Sequence, residues 1–177
     1  HASADHTPAF DHLLEIDADK VILADDAFMP TEIIPVDGTV FDFRKQAPVR
    51  QLLATHNNGR PLSASRGYNH AFVLNQKKDR TESPILCFTS PKEDLVLQMY
   101  TDAPCAVFYS GGFIDHSYTL SDGSRSGPSC AFAFEMQDYP DASGGHGFPF
   151  RITKAGTVWK RWIRWNFLSS QPVTLLS

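Results

Sequence analysis

The chain has 177 residues, 42% of them hydrophobic and 12% aromatic, enough to build one domain with a real core and too apolar for a disordered chain. Sixteen basic against twenty acidic residues leave a formal charge of −4, so no positive surplus exists to hold a nucleic-acid backbone or an anionic membrane. Apolar runs such as Leu95-Val96-Leu97 are far too short to span a bilayer, and the first residues lack the plan of a signal peptide.

Thirteen Phe beside twelve Pro and eleven Gly predict many short strands cut by turns, hence an all-β protein. No internal repeat or linker divides the chain. Residues 1 to 10, 54 to 67 and 120 to 130 lack periodicity and read as loops, and Val49, Leu52 and Leu53 have helical spacing in a short piece around Val49 to Ala54. Gly67-Tyr68-Asn69-His70-Ala71-Phe72 opens an apolar strand with two adjacent polar side chains, which serve either a turn or a ligand. Residues 93 to 101 and 105 to 110 read as strands broken by Asp102-Ala103-Pro104, and as sequential neighbours. Gly111-Gly112 then allows close backbone approach or a bulge.

In Ala131-Phe132-Ala133-Phe134-Glu135-Met136-Gln137, period-two alternation puts Phe132, Phe134 and Met136 on one face. Ala131, Ala133, Glu135 and Gln137 form the other, a small-residue floor carrying one carboxylate and one amide. A mid-strand acid between apolar neighbours is costly unless it is solvated in a cleft or paired, so Glu135 is the first candidate for chemistry, with a salt-bridged sheet residue as the alternative. The turn-rich run from Asp138 to Gly147 can wall a pocket. Residues Val158 to Phe167 alternate again and read as a half-buried strand whose Lys and Arg stems lie along apolar surface with their charges in water. Cys87, Cys105 and Cys130 are odd in number and sit in apolar segments, which predicts buried free thiols and a reducing, cytoplasmic setting. No metal spacing, phosphate-binding glycine loop or Ser/His/Asp arrangement is present in recognisable context.

Taken in order, Asp11-His12-Leu13-Leu14-Glu15-Ile16, Met29-Pro30-Thr31-Glu32, Val36-Asp37-Gly38-Thr39-Val40-Phe41-Asp42-Phe43-Arg44, Gly67-Tyr68-Asn69-His70, Pro104 to Gly112 and Glu135-Met136-Gln137-Asp138-Tyr139-Pro140-Asp141-Ala142 resemble the landmarks of the aldose 1-epimerase (galactose mutarotase) family. The resemblance covers nearly the whole chain and matches the C-terminal half of that family's single domain. It implies a large antiparallel β-sandwich and a monosaccharide substrate. Glu135 would be the general base, Asn69 and Val107 would stand at substrate-binding positions, and no cofactor or metal would be needed. An ionised Glu, with a reference pKa of about 4.3, can take the anomeric proton.

The pattern departs in places. Asn69 stands where the family usually has Asp, Val107 where many relatives have Gln, and no Gly separates Thr31 from Glu32. By the same resemblance the acid His and further sugar-holding residues belong to an N-terminal half, so a missing half or a complementary chain is expected to complete the sandwich. These departures also support a second expectation, a non-catalytic carbohydrate-binding or regulatory module on the same fold; a third is a sandwich serving as a protein-binding platform.

Overall fold

The computed structural model describes residues 9–50, 67–76, 79–121, 123–145 and 147–169. A short 3-10 turn, Ala9–Asp11, leads into ten strands: β1 Leu13–Ile16, β2 Ala18–Ala24, β3 Pro30–Pro35, β4 Ala47–Pro48, β5 Asn69–Leu74, β6 Leu86–Thr89, β7 Leu95–Thr101, β8 Cys105–Tyr109, β9 Ala133–Gln137 and β10 Ile163–Ser169. They form two antiparallel five-stranded sheets, β10-β7-β6-β1-β4 and β3-β2-β5-β8-β9. The expected all-β sandwich is therefore what the chain builds. The short helix expected around Val49 to Ala54 lies, beyond Arg50, outside the described residues, as do residues 1–8, 54–66 and 122 of the expected loops.

The sheets face each other across one core. Leu14, Ile16, Leu86, Phe88 and Met99 from the first sheet meet Val21, Phe72, Leu74, Ala106 and Phe108 from the second, with Phe132, Phe134 and Met136 packed against them. Alternation explains the division, since successive side chains of a strand point to opposite faces and only one face of each sheet is turned inward. Aromatic rings fill the middle: Phe108 lies 5.2 Å from Tyr68, 5.4 Å from Phe134 and 6.1 Å from Phe43, distances at which edge-to-face and offset pairs are favourable. Burying each such ring contributes roughly 1.5–3 kcal/mol. Tyr68 is fully buried, and its hydroxyl donates to the Val40 carbonyl at 2.7 Å, so its one polar atom is satisfied.

The strands around Pro104 fall where alternation and punctuation place them, but they are not paired neighbours. β7 belongs to the first sheet and β8 to the second. Pro104 has no N–H for a ladder, and the chain uses Asp102-Ala103-Pro104 to cross between layers. The crossing is clamped by Arg80, whose guanidinium donates to the carbonyls of Ala103, Leu74 and Asn75. After β8, Gly111 turns the chain with φ +74°, and its carbonyl accepts from both Ile114 and Ser129. A Cβ there would sit 2.5 Å from the Ala131 carbonyl oxygen, so only glycine fits.

The last strand differs from expectation. It runs from Ile163, not Val158, and it is exposed instead of half-buried. Among the described residues β10 is an edge strand paired with β7 alone, and Trp165 and Phe167 are exposed. The Arg side chains do not all reach water either. Arg161 is only 8% exposed and pairs with Asp138 at 2.9 Å, while Arg164 lies over the Tyr100 ring at 3.9 Å. All three cysteines are free thiols, but Cys105 alone is fully buried while Cys87 and Cys130 are half-buried; burial pushes Cys105 up to about 12 and Cys87 up to about 11, so neither is a ready nucleophile. Among the described residues no helix is long and apolar enough to cross a membrane.

Candidate functional site

The outer face of the second sheet, turned away from the main core, carries the polar residues singled out above. Registers align Ile33 with Ile22, Ile22 with Ala71, Ala71 with Val107, and Val107 with Glu135. Side chains opposite one another in a ladder share a face, so these five form one row across the sheet. Asn69 is one pleat repeat from Ala71 on the same face, opposite Tyr109. With strands ~4.8 Å apart and ~6.8 Å per pleat repeat, the Asn69 and Glu135 backbones stand roughly 12 Å apart. That leaves room for a small ring between their side chains.

Part of this face is covered. The loop after β9 folds back so that Phe148 and, less deeply, Tyr139 and Ala142 pack on Ile22, Ala71 and Cys105. Its root is held by Arg161, which ties Asp138 at 2.9 Å and approaches Asp102 at 3.7 Å. What stays uncovered is a hollow of about 190 Å³ lined by Phe28, Asn69, Ala71, Val107, Glu135 and Pro140, among others. The structure thus brings Glu135, Asn69 and Val107 together in one place, with Val107 as apolar floor between the two polar side chains.

Two polar groups in the hollow have no partner among the described residues. Among the described residues, neither the Glu135 carboxylate nor the Asn69 side-chain amide makes a hydrogen bond or ion pair, which leaves one strong acceptor and one donor–acceptor pair for a ligand. Among the described residues the geometry gives no salt bridge for Glu135.

His70 is a different case. Its odd register points it away from the row of Ala71, and it packs on Phe41 with ring centroids 4.7 Å apart, while its Nδ1 accepts the Asn69 N–H at 3.1 Å. That bond assigns the proton to Nε2 in the neutral ring. Burial brings its pKa down from 6.5 to about 4, so it is uncharged at neutral pH. Because the unfolded chain binds this proton below about 6.5 and the folded one refuses it until about 4, stability is full above that window and falls as pH drops through it. The expected loss is roughly 3 kcal/mol at most, read by urea unfolding at about pH 7 and about pH 4.5. A His70→Gln variant with the same pH slope as its parent would contradict it.

Pro140 comes from the turn-rich run expected to wall a pocket, whereas sequence reasoning did not foresee Phe28 or Ile22 in the wall. Phe28 sits in the loop between β2 and β3 without periodicity, and no local signal tells that this hairpin end lines the hollow that holds Glu135.

The family model described as aldose 1-epimerase matches residues 3–166. Galactose mutarotase of Sus scrofa is 31% identical over 149 residues, covering 83% of this chain and 41% of that protein. The aldose 1-epimerase of Haemophilus influenzae is 27% identical, covering 89% of this chain and 45% of the relative. Among solved structures, an aldose epimerase homologue from C. elegans superposes with a TM-score of 0.79 at 26% identity, covering 96% of this chain and 49% of that one. The chain therefore spans less than half the length of these relatives. Its match along nearly all the described strands, together with the shared sandwich, means that the chain belongs to the aldose 1-epimerase family.

Proposed function

We propose that the protein interconverts the α and β anomers of a free aldose, with Glu135 as the general base. The observation that carries this reading is a carboxylate without a partner among the described residues, standing over an apolar floor beside an amide equally without one. Glu135 takes the proton of the anomeric hydroxyl. As the C1–O5 bond breaks, an acid delivers a proton to O5, the C1–C2 bond of the open aldehyde rotates, and the reverse proton transfers close the ring on the other face. Asn69 bonds sugar hydroxyls as donor and acceptor, and Val107 supports the ring from below. Without the charge of an Asp, the amide makes weaker bonds than a carboxylate there, which points to a sugar preference or affinity shifted from that of the usual family site.

The acid is the open role. Only Glu135 and His70 are titratable among the residues lining the hollow, and a neutral imidazole that keeps its proton on Nε2 is a poor acid at pH 7. The proton donor is therefore sought beyond the described residues that line the hollow. We place residues 1–177 as the C-terminal part of one sandwich domain, whose N-terminal half, or a complementary chain, brings that donor. Nine of the thirteen exposed large apolar side chains among the described residues lie between Phe150 and Leu168, which supports a covering partner on that side. In the full-length protein the outer amides of β10 are then expected to exchange slowly with deuterated water; exchange as fast as in free peptide would remove the covering half.

The function is tested by polarimetry or NMR exchange on D-galactose with the full-length protein. Accelerated equilibration of the anomers is the expected result. Saturable galactose binding by calorimetry with no acceleration would replace catalysis by a carbohydrate-binding role.

A further inference from the structure

Residues 25–29 join β2 to β3, with residues 26–28 forming a three-residue hairpin loop closed by Asp25 and Met29. The Phe28 N–H donates to the Asp25 carbonyl at 3.0 Å, the Asp25 N–H donates to the Met29 carbonyl at 2.9 Å, and the Asp25 carboxylate accepts from Ala27 and Met29, each at 2.9 Å. In this kind of loop the last residue takes a left-handed conformation, a place ordinarily given to Gly. Here Phe28 holds it, with φ +63°. A bulky side chain in that region is strained, and such strain concentrates at functional positions.

Folding offers little return for the ring. Phe28 is 42% exposed, and its recorded aromatic contact is an edge-on approach to Phe113 at 5.4 Å. Phe113 is in turn stacked on Tyr109 at 6.1 Å, and its N–H donates to the Tyr109 hydroxyl at 2.9 Å. Tyr109 grows from β8 two residues beyond Val107, on the same face. The three rings thus make a ridge anchored on the sheet, and its free end lines the hollow that holds Glu135 and Asn69.

A pyranose offers hydroxyls at its rim and C–H bonds on its faces. Glu135 and Asn69 serve the first, and the aromatic ridge suits the second. We propose that Phe28 is a specificity-determining residue, its ring stacking against the C–H face of the bound aldose and held ready for it by Phe113 and Tyr109. This rests on the sugar reading given above. The left-handed corner makes the position tunable, since any ring placed there is fixed by the hairpin and not by the core.

The test uses the full-length protein and D-galactose, comparing Phe28→Gly and Phe28→Tyr with the parent. Glycine suits the left-handed corner, so the melting temperature of Phe28→Gly is expected to hold or rise. Its KM is expected to increase about three- to tenfold with kcat little changed, because stacking that is equal in ground and transition states affects binding alone. Phe28→Tyr keeps the ring and is expected to keep the parent KM. A Phe28→Gly protein with unaltered KM, or one whose melting temperature drops while KM stays, would overturn the stacking role and leave the general-base reading standing. A parent protein that neither binds nor equilibrates galactose would remove both.

Discussion

Glu135→Gln is expected to slow catalysed anomer interconversion by about 10²- to 10⁴-fold in the full-length protein, while sugar binding measured by calorimetry stays close to the parent's. The amide has the size of the carboxylate and can still hydrogen-bond a hydroxyl, but it cannot accept the anomeric proton. No neighbouring group can take over. Among the residues lining the hollow the other titratable side chain is His70, which is turned toward the core and packed on Phe41. Nor does the substitution break a structural contact, since the carboxylate has no partner among the described residues to lose. A rate by polarimetry or NMR exchange equal to the parent's would remove Glu135 from the role of base; loss of binding together with rate would make it a substrate anchor instead.

Phe108→Ala is expected to cost about 3–5 kcal/mol of folding stability, the range for deleting a buried aromatic ring and leaving a cavity. Phe108 is fully buried. Its ring meets Tyr68, Phe132, Phe134 and Phe43, so four neighbours would lose a packing surface at once. Phe132 and Phe134 meet Phe88 of the opposite sheet in turn, and little room exists for these rings to collapse inward. Phe108 also follows Val107 on β8, the strand paired with both Asn69 and Glu135 strands. Residual folded protein should therefore show weakened sugar binding, because the floor of the hollow and the core are two faces of one strand. Urea unfolding is the check, and a loss below about 1 kcal/mol would mean that the aromatic cluster is not the centre of the core.

These two residues illustrate opposite sides of one alternating pattern. In Phe132-Ala133-Phe134-Glu135-Met136, bulky apolar side chains and small or polar ones change places at every step, and the strand has no choice but to bury the first set. The same reasoning applies to β8, where Phe108 and Val107 part company. Edge strands are harder to read. In β10 the alternation of aromatic and basic residues suggested partial cover, yet among the described residues the strand has a neighbour on one side only and Trp165 and Phe167 stay exposed. Alternation states that two faces differ; it does not state how much lies against each.

What the amino-acid order determined alone was local: the strands marked by period-two patterning, the break at Pro104, the unpaired thiols, and the placement of Glu135 on a small-residue face. Those depend on side-chain geometry within a few residues, where the pleat repeats every two positions. The tertiary structure decided which strands lie side by side, so that Asn69, Val107 and Glu135, up to 66 positions apart, share one hollow. It also decided that β7 and β8 part into different layers and that the Phe28 hairpin lines that hollow. Such pairings are chosen by the sum of burial over both sheets, a quantity spread over the whole chain and carried by no single segment.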